Sequence, residues 1–179
     1  MDQDELLIQE GVTVTVDQGT FKIKGPKGET QRTLYAPGVL VEVEGSKIIF
    51  KPAKKFTLQH KRLINTYKAH LINNFKGVTQ GHTYLLKICS GHFPMNVAVK
   101  NNALEVKNLL GETIPRIFTI PQDVSVKVEG DQVVVTGADK EKTAQCAASI
   151  EQLTRRPGFD KRVFQDGIYL LDKDGKRLA

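Results

Sequence analysis

Hydrophobic and polar residues alternate with period two over the first fifty positions, then switch to the period of a helix. Val12, Val14 and Val16 fall on one side and Thr13 and Thr15 on the other, the pattern of a half-buried strand. Asp17-Gln18-Gly19 turns the chain into Phe21 to Lys24. Gly25-Pro26-Lys27-Gly28 ends that strand, because proline cannot donate to a ladder and glycine weakens it. Val39 to Val43 and Lys47 to Lys51 predict a hairpin about Glu44-Gly45-Ser46. After Pro52, Phe56, Leu63, Ile64, Tyr67, Leu71 and Phe75 recur at threes, fours and sevens. That spacing predicts an amphipathic helix, with Gly77 as its stop and Lys61 and Lys68 on its outer face. Gly81 to Cys89 reads as a long strand.

The plan then repeats. Val97 to Val99, a turn at Asn101-Asn102, and Leu104 to Lys107 make a strand pair. Gly111-Glu112 corresponds to Gly28-Glu29, and Val126 to Gly130 corresponds to Val41 to Gly45. Asp139 is a suitable N-cap for a helix whose apolar stripe is Cys146, Ile150 and Leu153, ended by Pro157. Tyr169-Leu170-Leu171 falls on Tyr84-Leu85-Leu86. The expected architecture is α+β: two tandem duplicated domains, residues 1–83 and 84–179, each a small, mostly antiparallel sheet packed with one helix. Two repeats are too few for a solenoid.

Composition narrows the class. A chain of 179 residues, 40% apolar and 26% charged, has the balance of a globular protein. No apolar run is long enough for a membrane span. The acidic start, Met1-Asp2-Gln3-Asp4-Glu5, is unlike a secretory signal, and Cys89 and Cys146 are expected to be free thiols in a reducing cytosol. The net charge of +6 is unevenly spread. Gly45 to Leu104 contains ten Lys/Arg and no Asp or Glu, whereas the remainder holds 16 basic and 20 acidic residues. Such polarity suits a polyanion; no segment joins it to the apolar face that membrane binding requires.

Catalytic chemistry finds no footing. His60, His70, His82 and His92 form no metal-ligand spacing and lie in the tract without carboxylates. Gly25-Pro26-Lys27-Gly28 lacks the ending and following helix of a phosphate loop. Ser90-Gly91-His92 has no third partner for a nucleophile. Asp166-Gly167 reads as a turn, and Asp172 and Asp174, among Lys173, Lys176 and Arg177, as a solvated turn. No cofactor, metal or small-molecule substrate is expected. The stretch between the second helix and the last strand is different: Arg155, Arg156, Lys161 and Arg162 crowd one loop on a strand frame. With no Trp in the chain and few exposed aromatics expected, a base-stacking platform is not expected.

One ordered set of segments resembles a known family. Asp160, Arg162, Phe164, Asp166, Gly167, Ile168 and Tyr169 are similar to a pattern of protein L six of the large ribosomal subunit, in its archaeal and eukaryotic branch, called L nine in eukaryotes. Lys24 to Gly28, Lys76 to Gly81, His92 to Val97 and Leu110 to Glu112 resemble further segments of that family. The bacterial branch's C-terminal segment is replaced here by Pro157 to Arg162. The resemblance implies a non-enzymatic structural protein of the cytoplasmic ribosome, supporting translation. Its partners would be large-subunit ribosomal RNA near the sarcin–ricin loop and factor-binding centre, met mainly through the second domain, and neighbouring proteins of the stalk base. On this reading the RNA-binding residues are Arg155, Arg156, Lys161, Arg162, Lys173, Lys176, Arg177, His92, Asn96 and Lys100. Lys54, Lys55, Lys61, Arg62 and Lys68 are either additional contacts or a solvated face. The alternatives are a free-standing RNA- or protein-binding module, and an enzyme whose site is assembled across the two copies.

Overall fold

The computed structural model describes residues 4–17, 19–34, 38–52, 57–91, 93–160 and 162–178. The chain divides into two compact units, Met1–Gly81 and His82–Ala179.

In the first unit the alternating segments become β1 (Asp4–Leu7), β2 (Thr13–Asp17), β3 (Thr20–Gly25), β4 (Gly28–Thr33), β5 (Val39–Glu44) and β6 (Lys47–Pro52), followed by the helix α1 (Leu58–Thr79). They form two three-stranded antiparallel sheets, β1-β6-β5 and β2-β3-β4, rather than one. Phe21, Ile23, Ile48 and Phe50 point from the strands into a core closed by Ile64, Leu71, Phe75 and Val78 of α1. Each such side chain contributes roughly 1.5–3 kcal/mol by leaving water. β1 escapes the sequence pattern because its four residues, Asp-Glu-Leu-Leu, do not alternate, and β4 because Gly-Glu-Thr-Gln-Arg-Thr holds no hydrophobic side chain.

Both ends of α1 are built from side chains and turns the periodicity does not show. Thr57 caps the start, its Oγ1 accepting from His60 N (3.4 Å) while Thr57 N donates to His60 Nδ1 (3.3 Å). At the other end the helix runs through Gly77, which is helical and buried, and does not stop there. Its apolar face still has Val78 to bury, so the stop falls on Gly81, at φ 83°, whose N–H donates to the carbonyls of Lys76 and Gly77. Gly25 allows this end to seat: a Cβ there would lie 2.7 Å from the carbonyl oxygen of Val78, which also accepts from Lys27 N (2.8 Å).

The second unit comprises β7 (His82–Cys89), β8 (Asn96–Lys100), β9 (Ala103–Lys107), a 3-10 turn (Leu109–Gly111), β10 (Arg116–Thr119), β11 (Val124–Glu129), β12 (Gln132–Gly137), α2 (Lys140–Leu153), β13 (Gly167–Lys173) and β14 (Lys176–Arg177). Its sheets are β11-β12-β7-β13-β14 and β10-β9-β8, both antiparallel. Asn101 and Asn102 both take left-handed angles in the two-residue β8–β9 turn, as the right-handed twist of a hairpin favours. Asp139 caps α2, accepting from Glu141 N (2.8 Å) and Lys142 N (3.4 Å). Leu86, Leu104, Val133, Val135, Ile150 and Ile168 form the centre of the core.

The α+β duplication is thus present, with one revision. The first unit orders β5-β6-β1 and the second β11-β12-β7, so β7 takes the place of β1. Tyr84-Leu85-Leu86 and Tyr169-Leu170-Leu171 are therefore not counterparts: β13 pairs directly with β7 in one sheet, Leu170 opposite Leu86, and has no equivalent among the described strands of the first unit. No helix of the described residues is long and apolar enough to cross a membrane.

Candidate nucleic-acid interface

The connection from α2 to β13 is held at both ends before any of its cations is placed. Thr154, the C-cap of α2, is buried; its hydroxyl donates to Glu151 O (3.1 Å) and accepts from Ile168 N (2.9 Å). Arg116 of β10 reaches across to the same point. Its Nη1 donates to the carbonyls of Leu153 (2.6 Å) and Arg155 (3.2 Å), and its Nε and Nη2 bind both oxygens of Glu112 (2.8 and 2.7 Å). The guanidinium thus satisfies a helix-terminal carbonyl that would otherwise lack a donor. The hydrogen bond from Arg116 holds Glu112 below the usual carboxylate range against partial desolvation, with help from the charges of Arg116 and Arg156.

Above this anchor the loop presents its own cations. The Arg156 guanidinium lies 4.4 Å over the Phe159 ring, with Nε 3.6 Å from Glu112. Phe159 and Phe164 meet edge to face, with centroids 5.1 Å apart at 82°. Asp160 turns the loop: its carbonyl accepts from Val163 N and Phe164 N, and its carboxylate from Arg162 N (3.0 Å), Nε (3.2 Å) and Nη2 (2.9 Å). The bond to Arg162 lowers the Asp160 pKa and raises that of Arg162. The Arg162 side chain is nonetheless 89% exposed. Arg155 is exposed and has no carboxylate partner among the described residues.

The structure brings some of the predicted residues together and separates others. Arg155, Arg156 and Arg162 share the loop. The buried Asp166 at its end accepts from Gly91 N through Oδ1, drawing in the segment after β7; it is a tie across 75 residues and not merely a turn. His92 in that segment, Lys161 in the loop, and Lys54 and Lys55 ahead of α1 lie outside the described residues. Asn96 and Lys100 are exposed at the two ends of the edge strand β8. Lys173, Lys176 and Arg177 sit at the far end of β13 and on β14, about 20 Å from Gly167 at the rise of an extended strand. In the first unit Lys61 and Arg62 are exposed on α1, but Lys68 is half-buried and bonded to Asp4, so it does not share their solvated face.

Four readings of the sequence change here. The tract without acids in sequence has acids in space, because β6 lies between two acidic strands: Lys47 pairs with Glu5 (2.9 Å) and Lys51 with Glu42 (2.6 Å). His82 is fully buried and bonded through Nδ1 to Asp174 Oδ2 (3.0 Å). Asp174 is accordingly an internal partner at φ 55° rather than part of a solvated turn. Aromatic rings are also exposed after all, Phe93, Phe159 and Phe164 at 43%, 39% and 41%. Of the anchors, Thr154 and Arg116 carry no motif, and Glu112 and Asp166 fall in segments that resemble the family without any local sign of their anchoring role.

Among the described residues no three His, Cys, Asp or Glu are grouped to hold a metal. Both cysteines are free, and burial pushes the Cys146 thiol up to about 11, which leaves it protonated at neutral pH.

Comparison with known proteins agrees with the duplicated, non-catalytic architecture. The family model described as Ribosomal protein L6 matches residues 8–81 and 93–167, one span in each unit. The chain is 42% identical over 166 residues to Large ribosomal subunit protein uL6 of Methanothrix thermoacetophila and to that of Methanosarcina mazei, covering 93% of this chain and 94% of each relative. It is 42% identical over 171 residues to Large ribosomal subunit protein uL6 of Ignicoccus hospitalis, covering 93% of this chain and 92% of the relative. Matched in both units and over nearly its whole length, the chain belongs to the ribosomal protein L6 family, a family of structural proteins rather than enzymes.

Proposed function

We propose that this chain is a structural component of the large ribosomal subunit in the cytoplasm, and that it binds large-subunit ribosomal RNA mainly through its second unit. The observation that carries the reading is the α2–β13 loop, where Arg155 and Arg162 are exposed on a connection pinned by Thr154, Arg116 and Asp166. Pinned cations lose little conformational freedom on meeting a phosphate, and each phosphate neutralised releases counterions. Lys161 and His92 are further RNA-binding residues on this reading. Asn96 and Lys100 approach sugar edges of a shallow minor groove, while Lys173, Lys176 and Arg177 grip a separate phosphate stretch about 20 Å away. In the first unit Lys61, Arg62, Lys54 and Lys55 add a weaker contact, with Lys68 engaged by Asp4. The RNA is the region of the sarcin–ricin loop and factor-binding centre, with stalk-base proteins as neighbours.

Sucrose-gradient sedimentation tests this reading. The protein is expected to migrate with large subunits and to remain there through moderate salt. Recovery only at the top of the gradient refutes the assignment and leaves a free-standing binding module.

A further inference from the structure

We propose that the pocket at the base of the α2–β13 loop holds one unstacked guanine of the bound RNA. This rests on the RNA-binding reading above and deepens it. The pocket encloses about 290 Å³. That is the lower edge of the roughly 300–1,000 Å³ typical of small-molecule sites, room for one planar ring system rather than an extended ligand. Phe159, Phe164 and Tyr169 line one part of it, with the Arg156 guanidinium spread over Phe159. Exposed rings beside a planar cation are how splayed-out bases are held. The two phenylalanines stay about 40% exposed although they form a mutual contact, so their packing leaves ring surface uncovered.

The polar part of the lining says which base. Glu151 and Asp166 are both carboxylates, and an ionised carboxylate only accepts hydrogen bonds. Asp166 is buried, yet among the described residues it receives one bond, from Gly91 N to Oδ1, which leaves Oδ2 open as an acceptor. A base gripped by one of these carboxylates must therefore present two donors side by side, while Gln152, Arg155 and Tyr169 of the same lining can serve an acceptor beside them. Guanine does so, with N1–H and N2–H adjacent on its Watson–Crick edge and spaced for the two oxygens of one carboxylate. Adenine and cytosine set an acceptor ring nitrogen beside the amino group, and uracil flanks its one N–H with carbonyl oxygens; each of these turns a lone pair toward the carboxylate. Arg155, exposed at the same pocket, stands ready for the phosphate of that nucleotide.

The test uses large subunits assembled with the full chain and probed with kethoxal, a dicarbonyl reagent that attacks N1 and N2 of unpaired guanine. Wild-type subunits should show a protected guanine whose reactivity rises about tenfold with Phe159→Leu plus Phe164→Leu, which keep apolar bulk but remove stacking. Glu151→Gln, which leaves the rings in place, should raise reactivity at the same guanine. It decides by the same criterion if the double variant is lost from subunits. Identical kethoxal patterns in wild-type and variant subunits overturn the guanine pocket and leave the RNA-binding reading standing. Failure of the wild-type chain to sediment with subunits overturns both.

Discussion

The two units share six strands and a helix in the same order and part company after the helix. In the first, α1 runs 22 residues and Gly81 ends it, so that the chain departs directly into the strand that opens the second unit. In the second, α2 stops after 14 residues and residues 154–166 form a loop before β13 returns to the same sheet. What the second copy spends outside its helix is what carries exposed arginines, the exposed phenylalanines and the pocket. The duplicated scaffold supplies rigid ends, and the unduplicated connection supplies the exposed cations and rings, the division expected where a loop is positioned by packed elements.

The sharpest way to break this comparison is to damage each scaffold separately. Gly25→Ala drives a Cβ into backbone and side-chain atoms of Val78, and is expected to destabilise the first unit by on the order of 3 kcal/mol. Hydrogen exchange checks it: amides of β3 and α1 should lose protection while β7 and β13 keep theirs. Next in size is Arg116→Ala. It removes two bonds to helix-end carbonyls and leaves the half-buried Glu112 with only Arg156, an expected loss of about 2 kcal/mol in the second unit by denaturant unfolding. The loop should also lose its fixed start, a loss of RNA affinity that Gly25→Ala does not produce.

Arg155→Ala plus Arg162→Ala comes third. It should weaken RNA binding about tenfold at moderate salt and lower the slope of log affinity against log salt by about two. Lys61→Ala plus Arg62→Ala should change that slope much less, and an equal effect of the two pairs would erase the distinction between the units. A smaller effect is set by pH. Glu112 is held below its unfolded-state pKa, so its contribution is complete at neutral pH, above the unfolded value, and is lost as pH falls through the lowered folded value. Acid titration of second-unit stability should show this loss, and Arg116→Ala should flatten it. The smallest effect is Asp160→Ala: an exposed pair should leave thermal stability unchanged, while release of Arg162 tightens RNA binding slightly.

Much of the scaffold was legible because it depends on periodicity. Val12-Val14-Val16, the hairpin at Gly45, the stripe of α1 and the Asp139 cap each follow from burial of one face or one local hydrogen bond. β1, β4, β10 and β14 were not, since they are short or largely polar and are held by neighbours rather than by their own pattern. The basic loop was visible as a cluster of charge. Its aromatic side was not, because Phe159 and Phe164 read as ordinary hydrophobes until their exposure is known.

By itself the sequence determined the α+β class, the duplication and the crowding of cations between the second helix and the last strand. These depend on contacts near in sequence or on the order of residues, and both survive without a third dimension. Only the tertiary structure decided which charges remain unpaired. Lys47, Lys51, Lys68 and His82 meet acids 42, 9, 64 and 92 residues away, whereas Arg155 meets none among the described residues. The reason is that strand pairing sets partners by register, not by distance along the chain, so a run of positive charge in sequence is not a positive surface until the sheet is assembled.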